Sequence, residues 1–144
     1  MNNRYICRGK RKDNGEWIEG FYACQSNHSC IASTLKYQHF IYKDVCMDIG
    51  LGGLADFEVI PETVGQCSGV PDKNGKLMFV GDVVNALFDF EMPIKSVCVF
   101  KDGSFGLLAK QHGVEHFHAF TSICNVKYEV IGNIHDNDLL EAER

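Results

Sequence analysis

Turn dipeptides recur along the chain at short intervals, and they constrain its fold more tightly than any other feature. Asn14-Gly15, Asn74-Gly75, Gly81-Asp82 and Asp102-Gly103 punctuate short runs of β-branched and aromatic residues. Such runs predict a mainly β chain, α+β at most, with the strand spacing of a small barrel or sandwich. Arg4 to Gly9 and Glu16 to Ala23 read as two strands joined across Asp13-Asn14-Gly15, because Asn-Gly supplies the positive φ angles of a tight hairpin. On the second of these, Trp17, Glu19 and Phe21 share one face and Ile18, Gly20 and Tyr22 the other.

Residues 25–33 are polar without a period and read as a loop. Residues 36–45 read as a third strand, with Tyr37, Phe40 and Tyr42. Gly50-Leu51-Gly52-Gly53 is expected to be a flexible turn, and residues 57–60 a strand stopped by Pro61, which lacks a ladder donor. Residues 62–71 then read as a glycine-punctuated connection between two subdomains of one 144-residue domain, 1–61 and 72–144. In the second, strands are expected at 77–80, 83–90, 94–100, 104–109 and 127–134. Short strands in that number suggest a small closed barrel of SH3-like type, against which the N-terminal hairpin region packs. Asn137, Asp138 and Leu139-Leu140 predict a short C-terminal helix docked on it.

Apolar residues make up 45% of the chain and charged residues 23%, which suits a globular domain and not a disordered one. No run approaches the roughly 20 apolar residues of a membrane helix. Met1-Asn2-Asn3-Arg4-Tyr5-Ile6 lacks the apolar core of a signal peptide, so a cytoplasmic protein with no membrane partner is expected. The seven cysteines are odd in number and show no C-x-x-C spacing, which predicts reduced, mostly buried thiols. A net charge of −5 argues against a dedicated nucleic-acid binder, although Arg4, Arg8, Lys10, Arg11 and Lys12 crowd the start.

Four blocks carry a resemblance. Arg8-Gly9-Lys10-Arg11-Lys12-Asp13-Asn14-Gly15-Glu16-Trp17-Ile18-Glu19-Gly20 opens the chain, and Ile60-Pro61-Glu62-Thr63-Val64-Gly65-Gln66-Cys67-Ser68-Gly69 lies near its middle. Asp72-Lys73-Asn74-Gly75-Lys76, with Phe79-Val80-Gly81-Asp82-Val83-Val84, follows, and Glu129-Val130-Ile131-Gly132-Asn133-Ile134-His135-Asp136-Asn137 closes. Together, in this order, they resemble the YopX family, which is encoded mostly by phages and prophages. The resemblance implies a mostly β fold, a place in the bacterial host cytoplasm, and no established enzymatic activity or catalytic residue to carry over. Cys7, Cys67 and Val80 depart from the family's usual aromatic, tyrosine and acid. Residues 24–56 and 90–125 fall outside the blocks, and specificity peculiar to this chain is expected there.

Most of the shared polar and glycine positions read as structural: Asp82, after Gly81, is placed to fasten a turn through its side chain. The polar stretch Thr63 to Gln66 has a claim to bind a partner, since polar loops on rigid scaffolds often do. His116 and His118 would share a face on a strand, and with His112 or Glu115 would offer three ligands to a zinc ion; this is the one candidate for a metal-dependent hydrolase. Cys24, His28 and Cys30 match no zinc-finger spacing. No Ser-His-Asp or Cys-His arrangement and no phosphate-binding glycine loop stands out, so no cofactor is expected.

The reading that follows is a non-enzymatic module that binds another macromolecule, with contacts expected at Arg8, Lys10, Arg11, Lys12, Trp17, Thr63 and Gln66. The alternative is weak nucleic-acid binding through the basic hairpin and its aromatics Tyr5, Trp17, Phe21 and Tyr22. A homodimer would cover any apolar patch or strand edge left exposed.

Overall fold

A computed structural model of the chain describes residues 3–27, 36–46, 52–87, 92–122 and 126–136. The chain divides into two compact units, Arg4–Gln66 and Cys67–Arg144, the latter together with Met1–Asn3. All regular structure among the described residues is antiparallel β, apart from three-residue 3₁₀ turns at Asn3–Tyr5, Pro61–Thr63 and Phe120–Ser122. The expected C-terminal helix lies outside the described residues.

In the first unit β1 (Cys7–Lys10), β2 (Trp17–Asn27), β3 (Lys36–Cys46) and β4 (Gly52–Glu58) form a meander. The hairpin between β1 and β2 is wider than two residues, because Arg11 N–H donates to Glu16 O at 2.9 Å and Gly15 N–H to Arg11 O at 3.0 Å. Only Gly15 of this turn has positive φ, at 72°. The face carrying Ile18 is the core side: Ile18, Ile41 and Val59 are buried together, with Phe57 and Val64 against them. Gly20 belongs to the same face, and a Cβ there would stand 2.2 Å from the Tyr42 carbonyl oxygen. Glycine is therefore required where β2 meets β3.

Two expected loops are strand instead. Residues 25–27 continue β2, and Gly52 and Gly53 begin β4; Gly50 and Leu51 lie outside the described residues. Polar residues at 25 and 26 and glycines at 52 and 53 are tolerated because none of them belongs to the buried cluster, and exposed positions carry no apolar requirement.

Residues 62–71 are likewise not a simple connection. After the Pro61–Thr63 turn, Gly65–Pro71 is strand β5. Its first residues pair with β1 (Cys7 with Gln66, Arg8 with Gly65), while Cys67 and Pro71 pair with Phe79 and Leu77 of β6 (Leu77–Phe79). The division between units thus falls within β5, and the strand order is β4-β3-β2-β1-β5-β6.

In the second unit β7 (Asp82–Leu87), β8 (Ile94–Lys101), β9 (Ser104–Gln111), β10 (Val114–Ala119) and β11 (Lys127–Asn133) form a sheet of order β10-β9-β8-β7-β11. Its ends are β10 and β11, so among the described residues it is an open sheet and the expected closed barrel is absent. Leu77–Phe79, counted from sequence as a barrel strand, is committed to β5 instead. Two tight hairpins join β8, β9 and β10, with positive φ at Asp102 and Gly103 (51° and 79°) and at His112 and Gly113 (51° and 80°). Both match the type I′ turn that suits strand twist.

One face of this sheet is core. Val84, Ala86, Cys98 and Leu107 are buried with Met78 of β6, and Val70, Phe120, Val126, Tyr128 and Val130 pack on them. The register places the alternate residues on the opposite face: Val97 opposes Leu108, which opposes Phe117.

Buried carboxylates hold the turns of this unit. Asp82 is 1% exposed and accepts from Phe79 N–H at 2.9 Å and from the Asn133 amide at 3.1 Å. Asp72 accepts from Asn74 and Lys76 N–H, each at 2.9 Å, and from Val130 N–H at 3.1 Å. With Lys73 N–H donating to Tyr128 O at 2.8 Å, the Asp72 turn occupies part of the outer edge of β11. That edge is thereby protected from strand addition.

Candidate functional site

Trp17 is the centre of the candidate surface. It opposes Lys10 across the β1–β2 register, and Arg8 lies on the same face opposite Glu19. The Arg8 guanidinium carbon lies 4.9 Å from the indole ring centroid and Lys10 Nζ 5.2 Å from it, both within cation–π range. Arg8 is buried, whereas Lys10 and Trp17 are half-buried. Phe21, two positions on, is 43% exposed, and Tyr42 stands opposite it on β3. The result is a rigid aromatic and cationic strip on the face of the sheet opposite the core.

The remaining cations of the basic run do not join it. Arg11 lies on the core side, over the Phe57 ring at 4.6 Å, with Nε donating to Asp13 Oδ1 at 2.9 Å. That hydrogen bond holds the Asp13 carboxyl below its ordinary range. Lys12 Nζ is 2.8 Å from Glu58 Oε1. Tyr5 is 65% exposed in the 3₁₀ turn before β1.

Thr63 and Gln66 occupy different settings. Thr63 is buried, and its hydroxyl accepts from Lys10 N–H at 2.8 Å and donates to Ile60 O at 2.7 Å. Both of its hydrogen-bonding roles face the fold. Gln66 is exposed on β5, with its amide donating to Arg4 O at 2.8 Å.

Tyr22 lies on the opposite face of β2 from Trp17, so the expected aromatic set is split between two faces. Its hydroxyl is 2.6 Å from His39 Nδ1, and the rings stack at 5.9 Å. Burial, with Cys24 and Cys7 nearby, raises the Tyr22 phenol above its usual range and keeps the proton available to donate.

The histidines are placed as follows. His112 is the first central residue of the β9–β10 turn, and His116 and His118 are exposed on one face of β10. Among the described residues no group of three His, Cys, Asp or Glu side chains is close enough to hold a metal. His28 and Cys30 lie outside the described residues. Of the four cysteines whose thiols are described, Cys67 and Cys98 are buried, Cys7 is half-buried and Cys24 is exposed.

The sequence reading put His116 and His118 on one strand face without giving that strand bounds, and it missed the turn role of His112. The signal was His112-Gly113, since His tolerates the left-handed region better than most residues and glycine follows it.

Among the described residues no helix is long and apolar enough to cross a membrane. A family model described as YopX protein matches residues 7–141. The match covers nearly the whole chain, and the chain belongs to the YopX family. No curated protein matches it.

Proposed function

For this member of the YopX family we propose a non-enzymatic role in the bacterial host cytoplasm: a phage or prophage accessory module that binds a partner protein. The observation that carries this reading is the Trp17 strip. Arg8 and Lys10 bracket the indole, and Phe21 is exposed beside it. Aromatic residues and arginine held rigidly are the usual anchors of protein interfaces. Arg11 and Lys12 are paired with Asp13 and Glu58, so the cationic strip is smaller than the basic run promises. This favours a protein partner over a polyanion.

The test is photo-crosslinking in host cells carrying the phage, with a photoreactive residue in place of Phe21. A discrete protein adduct, lost on Trp17→Ala and retained on Lys43→Ala, is the expected result. Crosslinking to nucleic acid alone, or an adduct indifferent to Trp17, contradicts the reading.

Nucleic-acid binding is the second reading, favoured by the same bracketing of Trp17 by two cations. In that reading Phe21 and Trp17 would stack bases while Lys10 met phosphates. Self-association is a further part of the proposal, since β10 is an end strand with Val114 56% exposed. Light scattering at micromolar concentration tests it, a dimer mass being expected and a monomer mass contradicting it.

A further inference from the structure

The non-core face of the five-stranded sheet combines an apolar row with a lysine border. Val97, Leu108 and Phe117 stand in register across β8, β9 and β10, all half-buried, and Val99 lies beside them. The Phe117 ring comes close to Gly106, where a Cβ would stand 2.7 Å from it. Lys101 Nζ lies 5.9 Å from the same ring centroid.

The register also puts Lys110 and Lys127 on this face, both exposed. The described acids there are Glu115, opposite Lys110, and Glu129, which pairs with Lys73 at 3.1 Å. A chain of net charge −5 thus concentrates positive charge around an apolar strip.

We propose that this face docks an acidic segment of a partner protein studded with apolar side chains. Carboxylates meet the lysine border and leucine-like side chains meet Val97, Leu108 and Phe117. A single-stranded nucleic acid fits less well, because Phe117 is the only aromatic residue described in the row, and one ring does not make a platform for successive bases. The face lies within one unit and in the stretch outside the shared family blocks, and it does not depend on the Trp17 strip.

The test uses the full chain and a fluorescently labelled synthetic peptide alternating glutamate and leucine. Two comparison peptides replace leucine by serine or glutamate by lysine, and single-stranded oligothymidine is a fourth probe. Anisotropy measures affinity, and amide shifts at Val97, Leu108 and Phe117 locate the contact. The glutamate–leucine peptide is expected to bind best and to shift those amides. K101E/K110E should weaken it by about tenfold or more, as should raising salt from about 0.05 to about 0.3 M. Lys43→Glu, in the other unit, should leave affinity unchanged, and far-ultraviolet circular dichroism should show both variants folded. The proposal is overturned if that peptide does not bind or binds no better than the comparison peptides. It also fails if K101E/K110E keeps wild-type affinity, or if oligothymidine alone shifts those amides.

Discussion

The two units use polar side chains for different purposes. In Cys67–Arg144 the buried acids Asp72 and Asp82 accept backbone hydrogen bonds and hold turns against the sheet. In Arg4–Gln66 the ion pairs Arg11–Asp13 and Lys12–Glu58 lie toward the surface, a neutral hydroxyl, Thr63, takes the buried backbone hydrogen bond, and the buried Arg8 lies over the Trp17 ring. A charged group inside a fold is costly to leave unpaired, whereas a surface pair contributes little. The shared-block acids of the second unit therefore report on folding, and a surface-paired charge of the first unit such as Lys12 can be changed at small expense.

This contrast breaks if Asp82 proves dispensable. Asp82→Ala is expected to destabilise the protein by roughly 2–5 kcal/mol, because two buried donors lose their acceptor. Denaturant unfolding measures it, and a loss under 1 kcal/mol would erase the distinction.

Next in size are the two close approaches, one in each unit. Gly20→Ala and Gly106→Ala would put a Cβ 2.2 Å from Tyr42 O and 2.3 Å from His118 O. Each should cost about 1–3 kcal/mol in the same assay. Thr63→Val keeps the shape but removes the hydroxyl, and should cost about 1–2 kcal/mol, with Thr63→Ser recovering most of it.

Acid titration sharpens the comparison further. Burial alone would raise the Asp72 carboxyl, but hydrogen bonds from Val130, Lys76 and Asn74 N–H outweigh it and set the folded value below the ordinary 3.8. Its stabilising contribution is therefore complete above the unfolded-state value and is lost as pH falls through the folded one. Asp72→Asn should flatten the acid limb of the stability profile below about pH 4. The smallest effect is Lys12→Ala, within about 0.5 kcal/mol.

Much of the architecture was legible in the turns. Gly75, Asp102 and Gly103 all have positive φ, as their turn dipeptides lead one to expect, and the strands they bound follow. The closed barrel was not legible, because Leu77–Phe79 looks the same whether it joins β7 or β5. Pairing partners are set by long-range packing, which short apolar runs do not encode.

The face of β8 was equally hidden. Residues 94, 96, 98 and 100 are Ile, Ser, Cys and Phe, and residues 95, 97, 99 and 101 are Lys, Val, Val and Lys. Either set can serve as the inside, and only the packing of Met78 on Cys98 settles it. At the candidate site, the sequence put Trp17 and the basic residues on one hairpin, but the pairing of Lys10 with Trp17 comes from the observed register. The diversion of Arg11 to Phe57 and of Lys12 to Glu58 was not legible, since both partners are more than forty residues away.

The central functional claim is that the basic N-terminal run is largely engaged within the fold and meets a protein, not a nucleic acid. Trp17 fluorescence at physiological salt tests it directly, because Trp17 is the single tryptophan of the chain. The account predicts an emission that added single-stranded oligonucleotide leaves unchanged into the micromolar range. Sub-micromolar quenching that Lys10→Ala abolishes would contradict it and make the Trp17 strip a base-stacking platform.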